Sequence, residues 1–334
     1  MIRIIGGGAV GQVLAASAVA ARQERVILQV RPAQRDDWVP LSQMSVQLAS
    51  KRIQLPRPEM VTEPSLQGVR YLVLSVKNTQ LDEVLTQLPQ TLPRNCTVVS
   101  ALNGVAHLRK LRMYWPDATI VPMTVMFNAR LQHPLCVMVS GRPVVCLSSQ
   151  DDRLLTAFRS DWLRVKAIEG EGRLWGKLLI NQSNALCALT HTSFEQLFRD
   201  PDLRRCYVAS LDEAVQVLDT AARPYQLPVP LPYTAYRWLL LNGRNVPWWL
   251  AHYRHGLHSQ SYPSMVSDAE QGKPTEVDDL QGEIIELGLR HRVPTPIASF
   301  IREQILHLDY RKPILSPSQL WQHIRSLGTP VTLA

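Results

Sequence analysis

The first half of the chain alternates short apolar runs with stretches of helical pattern. Runs rich in β-branched residues begin at Ile2, Arg25, Tyr71 and Thr97, and an alanine-rich stretch from Ala9 separates the first two. Strands that alternate with helices predict a parallel sheet of the α/β class. The runs TIVPMTVMF, CVMVSG and PVVCLS follow without long helices between them. We therefore expect these three runs to complete that sheet as antiparallel strands.

From about residue 169 the apolar positions repeat at helical spacing. The proline-rich run RPYQLPVPLPY interrupts them and is expected to be a loop, because closely spaced prolines cannot continue a helix. SPSQLWQHIRSL predicts a short terminal helix capped by Ser316 or Ser318. The change of pattern predicts two domains, an α/β domain over 1–168 and an all-helical domain over 169–334 that includes a C-terminal tail.

Composition and charge narrow the class of protein. Apolar residues make up 46% and charged residues 19%, which excludes a disordered chain. No apolar run is long enough to span a membrane, and the start MIRII lacks the pattern of a signal peptide, so we expect a cytoplasmic protein. The net charge of +8 is dispersed, which predicts neither a nucleic-acid nor a membrane partner. It fits either a basic surface without a partner or attraction of anionic ligands. The five cysteines are scattered without a CxxC pair, so no disulfide or metal site is expected.

Gly6, Gly8 and Gly11 form a GxGxxG motif between a predicted strand and a predicted helix. In that context the glycines permit a tight turn, a close approach of the backbone to a pyrophosphate, and close packing of helix on strand. The pyrophosphate would lie at the helix N-terminus. The alternative is a glycine-rich turn without a ligand. We predict that the first domain is a Rossmann-type, dinucleotide-binding domain.

The end of the second predicted strand indicates which dinucleotide binds. Enzymes that use NAD usually carry an acidic residue there, which holds the ribose 2′-hydroxyl. Arg31 occupies that place in ILQVRPAQR, with Arg35 nearby. A guanidinium suits a 2′-phosphate, so NADP is favoured over NAD. The alternative is an exposed arginine in a loop.

A polar stripe crosses the apolar helix predicted for LWGKLLINQSNALCAL. Lys177, Asn181 and Asn184 fall at i, i+4 and i+7 and share one helix face. Such a stripe either forms an internal polar network or lines a cleft, and the pattern alone does not decide between them. In a cleft, the lysine could protonate a carbonyl oxygen while hydride arrives at carbon. The asparagines could then hold a substrate carboxylate or hydroxyl.

A second polar segment, SYPSMVSDAEQGKPTEVDDLQGEI, places Ser264 and Glu276 twelve residues apart. Thr275 is predicted as an N-cap, with Asp278 closing a capping box. On composition alone, Glu276 is a first-turn carboxylate favoured by the helix dipole, and Ser264 is a turn residue.

Taken in order, these motifs resemble the ketopantoate reductase family over nearly the whole chain. The resemblance rests on GGGAVGQ, Arg31, SVKNTQ with Lys77 and Gln80, LNG with Asn103, WGKLLINQSNAL with Lys177, SM with Ser264, and GKPTEVD with Glu276. Three features depart from the usual pattern. Asn184 lies one residue closer to the lysine than in many members, the stretch 122–141 lacks a Pro-Gly pair, and the tail after Lys312 is longer than in the shortest members.

The resemblance implies roles for the matching residues. Lys177 would be the proton donor, and Glu276 would orient the cofactor or the lysine. Contacts with NADP are implied for Gly6, Gly7, Gly8, Ala9, Val10, Gly11, Arg31, Lys77, Asn103, Ala129 and Glu276. Contacts with the substrate are implied for Asn103, Lys177, Asn181, Asn184 and Ser264. No metal is needed.

The activity implied is the NADPH-dependent reduction of 2-dehydropantoate to pantoate, a step of pantothenate biosynthesis. The expected partner is a small 2-oxo acid, and the enzyme is expected to be a monomer or a homodimer. Two alternatives stay open. One is a related reductase or opine-type dehydrogenase acting on another 2-oxo acid, and the other is an NADP-binding sensor without catalysis.

Overall fold

A computed structural model describes residues 1–49, 51–255, 257–259 and 261–328. The chain divides into two compact units, the first spanning Met1–Glu171 and the second beginning at Gly172. The first unit is α/β and the second is helical, so the predicted fold class is confirmed. Within the described ranges, no helix combines the length and the apolar character that crossing a bilayer requires.

An eight-stranded sheet forms the centre of the first unit. Its strands, in spatial order, are β12 (Arg164–Ala167), β11 (Val144–Leu147), β8 (Thr119–Val125), β7 (Thr97–Ser100), β6 (Tyr71–Leu74), β1 (Ile2–Ile5), β2 (Val26–Gln29) and β5 (Glu59–Val61). The six strands from β8 to β5 are parallel. β11 runs antiparallel to β8, and β12 pairs parallel with β11. Four-residue, fully buried strands such as β1 and β6 are typical of a sheet covered on both faces.

Five helices and one 3₁₀ turn complete this unit. They are α1 (Ala9–Ala21), α2 (Pro32–Trp38), a 3₁₀ turn (Asn78–Gln80), α3 (Leu81–Gln87), α4 (Ala106–Tyr114) and α5 (Asp152–Ala157). Leu81, Leu85 and Leu111 pack in one apolar cluster with Leu72 and Val98 of the sheet. A second cluster forms around α1.

A four-stranded second sheet was not expected from the sequence. Its order is β4 (Arg52–Pro56), β3 (Gln43–Gln47), β10 (Cys136–Ser140) and β9 (Asn128–His133). The prediction that CVMVSG completes the main sheet is therefore wrong, because this run forms β10 and pairs with β3 and β9. PVVCLS does join the main sheet, as the antiparallel strand β11. TIVPMTVMF also joins it, as β8, but this strand runs parallel to its neighbour β7 rather than antiparallel as predicted.

Helix α1 explains why the second sheet exists. Every residue from Gly11 to Ala18 is buried, and α1 contacts strands of both sheets. Val13 and Leu14 pack in one cluster with Ile4 of the main sheet and Met44 and Val137 of the second. A helix that is apolar all round needs cover on every side, and the second sheet provides the cover that the main sheet cannot.

The second unit consists of nine helices and a π-helical turn over the described residues. They are α6 (Gly172–Thr190), α7 (Phe194–Arg199), α8 (Pro201–Thr220), α9 (Tyr233–Asn242), α10 (Val246–His255), α11 (Ser264–Glu270), the π turn (Asp278–Gly282), α12 (Glu283–His291), α13 (Pro296–Leu306) and α14 (Pro317–Ser326). The proline-rich run forms a loop between α8 and α9, as expected. Ser316 caps α14 by accepting a hydrogen bond from the Gln319 N–H at 3.3 Å.

One predicted cap is wrong. The helical residues begin at Val277 rather than after Thr275, and the π turn follows at once. Asp278 does not close a capping box, because its carboxylate accepts a hydrogen bond from Arg302 Nε at 2.5 Å. The ion pair with α13 replaces the local cap that the sequence predicts.

Helix α13 is capped by a residue from another helix. Its N-cap residue, Thr295, makes no side-chain capping hydrogen bond. The buried carboxylate of Glu213, on α8, instead accepts hydrogen bonds from the backbone N–H groups of Ile297 and Ala298 at 2.9 and 2.8 Å. Burial raises the pKa of Glu213, and the two N–H donors oppose that rise.

Candidate active site

The glycine turn between β1 and α1 leaves no room for side chains at two positions. Gly6 has φ +120°, and a Cβ there would lie 2.9 Å from the Ser75 carbonyl carbon. A Cβ on Gly11 would lie 1.9 Å from the Gly6 carbonyl oxygen. Gly7 is also tight, since a Cβ there would lie 3.0 Å from both Trp38 and Val30. Glycine is therefore required to turn the chain and to bring α1 against β1.

Gly8 differs from the other glycines of the turn because space is open around it. A Cβ on Gly8 would meet no atom within 4 Å. Gly8 is the N-cap residue of α1, and the helix has neither a side-chain cap nor an acidic residue in its first turn. An open helix N-terminus of this kind suits a phosphate group, because its N–H groups and dipole favour negative charge. The turn from Gly6 to Gly11, including Ala9 and Val10, thus fits the pyrophosphate of a dinucleotide.

The sheet brings other predicted cofactor residues to the same edge. Arg31 follows the carboxyl end of β2, Lys77 follows β6 and Asn103 follows β7. These strands and β1 are parallel neighbours in the order β7, β6, β1, β2, so their carboxyl ends share the edge at which open α/β sheets bind ligands. The Asn78 side chain joins two of the segments by donating a hydrogen bond to the Asn103 carbonyl at 2.8 Å.

Arg31 and Ala129 occupy distinct places around this edge. Arg31 is exposed, and it is the N-cap residue of α2, where its N–H donates to Gln34 Oε1 at 3.4 Å. Ala129 belongs to the second sheet, in which it lies on β9 opposite Val139. Strand β9 contacts α1, so the second sheet brings Ala129 to the helix that follows the glycine turn.

The polar stripe lies on the one face of α6 that is not buried. Lys177, Asn181 and Asn184 are all partly exposed, whereas most of the other residues of the helix are buried. The opposite face also carries polar side chains. Gln182 is fully buried and accepts a hydrogen bond from Ser210 Oγ on α8 at 3.4 Å. Helix α6 therefore contains an internal polar contact, but residues outside the predicted stripe form it.

Lys177 has the electrostatic character of a proton donor. Desolvation around its ammonium group lowers the pKa of Lys177 to about 8, although part of the side chain stays exposed. The negative charge of Glu276 opposes this effect and raises the pKa of Lys177. The two side chains are thus electrostatically coupled within the second unit. A lysine with this pKa changes its protonation state close to neutral pH.

The remaining predicted residue, Ser264, is not in a turn. It is the exposed first residue of α11, and α11 packs against α6. Glu276 lies two residues before the π turn, and that turn also contacts α6. The second unit therefore gathers the segments of Lys177, Ser264 and Glu276 around one helix. Among the described residues, no three His, Cys, Asp or Glu side chains are placed together to hold a metal ion.

Arg173 also belongs to the polar stripe, although the stripe predicted from the sequence does not include it. It stands four residues before Lys177 and is also partly exposed. The predicted polar set began at Lys177, although the i, i+4 spacing already includes Arg173. Its Nη1 donates a hydrogen bond to the Leu227 carbonyl, at 3.1 Å, in the proline-rich loop.

Comparison with known proteins decides the family. A model of the family described as ketopantoate reductase PanE/ApbA matches residues 2–152, and its C-terminal counterpart matches residues 170–308. The chain belongs to the ketopantoate reductase family. It is therefore an oxidoreductase of a family that uses a nicotinamide dinucleotide.

Individual relatives are distant. The 2-dehydropantoate 2-reductase of Aquifex aeolicus is 24% identical over 246 residues, which cover 70% of this chain and 74% of that protein. A ketopantoate reductase structure from Ralstonia eutropha has a TM-score of 0.75 at 21% identity and covers 97% of this chain and 100% of its own. The structure of D-mandelate dehydrogenase with NADH and anilino(oxo)acetate has a TM-score of 0.75 at 18% identity. The match covers 97% of this chain and 99% of that one. At these identities the structural likeness shows the shared fold.

Proposed function

We propose that this member of the ketopantoate reductase family reduces 2-dehydropantoate to pantoate with NADPH, and that Lys177 is the proton donor. The observation that carries the proposal is the position of Lys177 on the exposed face of α6 together with its electrostatic coupling to Glu276, which lies before the π turn. Burial lowers the pKa of Lys177 and the charge of Glu276 opposes it, which leaves the pKa at about 8 and the lysine protonated at neutral pH. The curated relatives carry the same activity in their names.

In the proposed reaction, bound NADPH supplies a hydride to the carbonyl carbon. Lys177 donates its proton to the carbonyl oxygen, on which negative charge develops, so that the ketone becomes a secondary alcohol and the lysine becomes neutral. The partly exposed side chain regains its proton from solvent. Glu276 stabilises the protonated lysine, and Asn181, Asn184 and Ser264 bind the polar groups of the substrate.

Arg31 supports NADPH over NADH. It is exposed at the end of β2, where an NAD enzyme places a carboxylate. A guanidinium there binds the 2′-phosphate through charge-assisted hydrogen bonds. The remaining contacts with the cofactor are proposed at the carboxyl edge of the main sheet, from the glycine turn, Lys77 and Asn103. Ala129 contributes a further contact from the second sheet.

A second candidate is reduction of another 2-oxo acid. Two observations favour it, namely the shortened spacing from Lys177 to Asn184 and the likeness to D-mandelate dehydrogenase. Because that dehydrogenase acts on an aromatic 2-hydroxy acid, the competing substrate would be an aromatic 2-oxo acid.

The experiment is a comparison of kcat/KM for 2-dehydropantoate, 2-oxoisovalerate and the 2-oxo acid that corresponds to mandelate, each with NADPH. A pocket that pairs with the hydroxymethyl group rejects an analogue without it, because its own polar groups lose their partners. We expect 2-dehydropantoate to exceed 2-oxoisovalerate by about 10²-fold or more. Equal rates for these two compounds, or a higher rate with the aromatic acid, would replace the proposal by the second candidate.

A further inference from the structure

Arg173 lies on the same face of α6 as the proposed catalytic lysine. Arg173, Lys177, Asn181 and Asn184 stand at i, i+4, i+8 and i+11, which places them within a sector of about 80° on a helix of 3.6 residues per turn. The stripe therefore carries two cationic side chains at its N-terminal end and two neutral amides at its C-terminal end. A substrate lying along α6 meets positive charge at one end only.

The proline-rich loop holds Arg173 in place. The Gln226 N–H donates to the Gly172 carbonyl at 2.8 Å, and a Cβ on Gly176 would lie 1.9 Å from the Gln226 carbonyl oxygen. The loop therefore lies directly on the first two turns of α6. The hydrogen bond from Arg173 to the Leu227 carbonyl then fixes one edge of the guanidinium.

Another part of the same guanidinium lacks a partner. Arg173 Nε is buried and has no hydrogen-bond acceptor among the residues that the structure describes. No carboxylate pairs with Arg173 in that part of the chain either. The Arg173 side chain as a whole is partly exposed and pairs with no carboxylate of the described residues, so an anion can approach the part of the guanidinium that the loop does not cover.

The position of Arg173 in the helix adds to this preference. It is the second residue of α6, and the first turn of α6 contains no acidic side chain. The dipole of a 19-residue helix favours negative charge at that end. The guanidinium and the helix end thus favour the same kind of ligand group.

We propose that Arg173 binds the carboxylate of the 2-oxo acid and so orients the substrate along α6. The carboxylate lies toward the N-terminal turn, the carbonyl oxygen faces Lys177 one turn further, about 6 Å along the helix axis, and the side chain of the substrate extends toward Asn181 and Asn184. The amides then bind the substrate's distal polar group rather than its carboxylate. This inference rests on the proposed function, since it assigns the charged end of the same substrate.

The test uses a matched pair of ligands, 2-oxoisovalerate and its methyl ester, with the NADPH-bound enzyme. Arg173→Met removes the charge and keeps the length, Arg173→Lys keeps the charge without the planar fork, and Arg290→Met is the control for a surface arginine paired with Glu286 in the same unit. A hydrogen bond between charged groups is worth enough to change kcat/KM by about 10- to 100-fold.

We expect the wild type and the control to prefer the acid over the ester by more than about 10-fold. In Arg173→Met this preference disappears through a higher KM for the acid, while the kinetics of the ester are unchanged. Arg173→Lys keeps part of the preference. Equal losses for acid and ester, with a lower melting temperature, show that Arg173 only fastens the loop and overturn the inference.

A binding measurement separates this inference from the proposed function. Oxamate, a carboxylate analogue of a small 2-oxo acid, is titrated against the NADPH-bound enzyme by tryptophan fluorescence or calorimetry. If the wild type binds oxamate, Arg173→Met does not, and no 2-oxo acid is reduced, the carboxylate site stands and the proposed reaction fails. If oxamate binds equally to both proteins, the carboxylate site is wrong whatever the reaction.

Discussion

The glycine turn and the stripe of α6 are specialised in opposite ways. The turn depends on side chains that are absent, because the backbone itself fills the space beside Gly6 and Gly11. The stripe depends on polar side chains that stand out from an otherwise apolar, buried helix. A substitution at Gly6 or Gly11 therefore acts first on the fold, whereas a substitution in the stripe acts first on the chemistry. The glycine turn is thus a site formed by the shape of the backbone, whereas the stripe of α6 is a site formed by side-chain functional groups.

The largest effect is expected at Lys177. Lys177→Met removes the proposed proton donor, and kcat should fall by about 10²-fold or more. The same change should not lower the melting temperature at pH 7. Because the fold lowers the pKa of Lys177 to about 8, the unfolded chain binds this proton more tightly, and removing the charge stabilises the folded state by up to a few degrees. Kinetics and thermal unfolding at pH 7 check both effects.

Glu276→Gln tests the coupling of Glu276 with Lys177 through the pH dependence of kcat. The carboxylate raises the pKa of Lys177, so its loss should move the alkaline limb of the kcat profile from near pH 8 to lower pH. If Lys177→Met has a lower melting temperature but retains activity, the lysine has a structural role only. An unchanged profile in Glu276→Gln would show that the two groups do not interact in the reaction.

In the turn, two neighbouring glycines should respond differently to alanine. Gly11→Ala places a Cβ 1.9 Å from the Gly6 carbonyl oxygen, so the first unit should unfold several degrees earlier. Gly8→Ala places the methyl group in open space and should leave the melting temperature close to that of the wild type. Its affinity for NADPH should nevertheless fall by about 10-fold, because the methyl group fills space proposed for the pyrophosphate. If Gly8→Ala binds NADPH with normal affinity, the open space beside Gly8 does not hold the pyrophosphate.

The smallest effect concerns the choice between cofactors. Arg31→Ala should weaken NADPH by about 10-fold and leave NADH nearly unchanged, because only NADPH carries the extra phosphate. Arg25→Ala is the matched control, since Arg25 precedes the same strand at its other end and pairs with Glu59. The measurement is KM for each cofactor. Equal losses for NADPH and NADH in Arg31→Ala would exclude a phosphate contact.

Most of the first unit could be predicted because local sequence determines it. The strand from Ile2, the glycines and the alanine-rich α1 lie next to one another in the chain, and the structure places α1 at Ala9–Ala21. The second sheet was missed because β4 alternates between exposed and partly exposed residues, and because β3 pairs with β10, which lies far along the chain. A signal was present all the same. An alanine-rich helix without a polar face needs cover on both sides, which a single sheet does not provide.

The candidate site shows a similar limit. The spacing of Lys177, Asn181 and Asn184 predicts a shared face, but whether that face is buried depends on how α8, α11 and α13 pack around α6. The contact of Arg173 with the loop depends on Leu227, which follows 54 residues later. The spacing also could not predict the π turn, since the Thr275 and Asp278 pattern favours an ordinary capped helix.

The cap on α13 also affects how the helical unit folds. Helix α13 begins at Pro296, and its N-cap residue Thr295 provides no side-chain cap. The helix depends instead on the carboxylate of Glu213, which lies 84 residues before Ile297 in the chain. The first turn of α13 is therefore complete only after α8 has docked beside it. Long-range dependence of this kind makes local fraying of α13 unfavourable while α8 is in place. The two helices should consequently gain and lose protection from hydrogen exchange together, as one cooperative element.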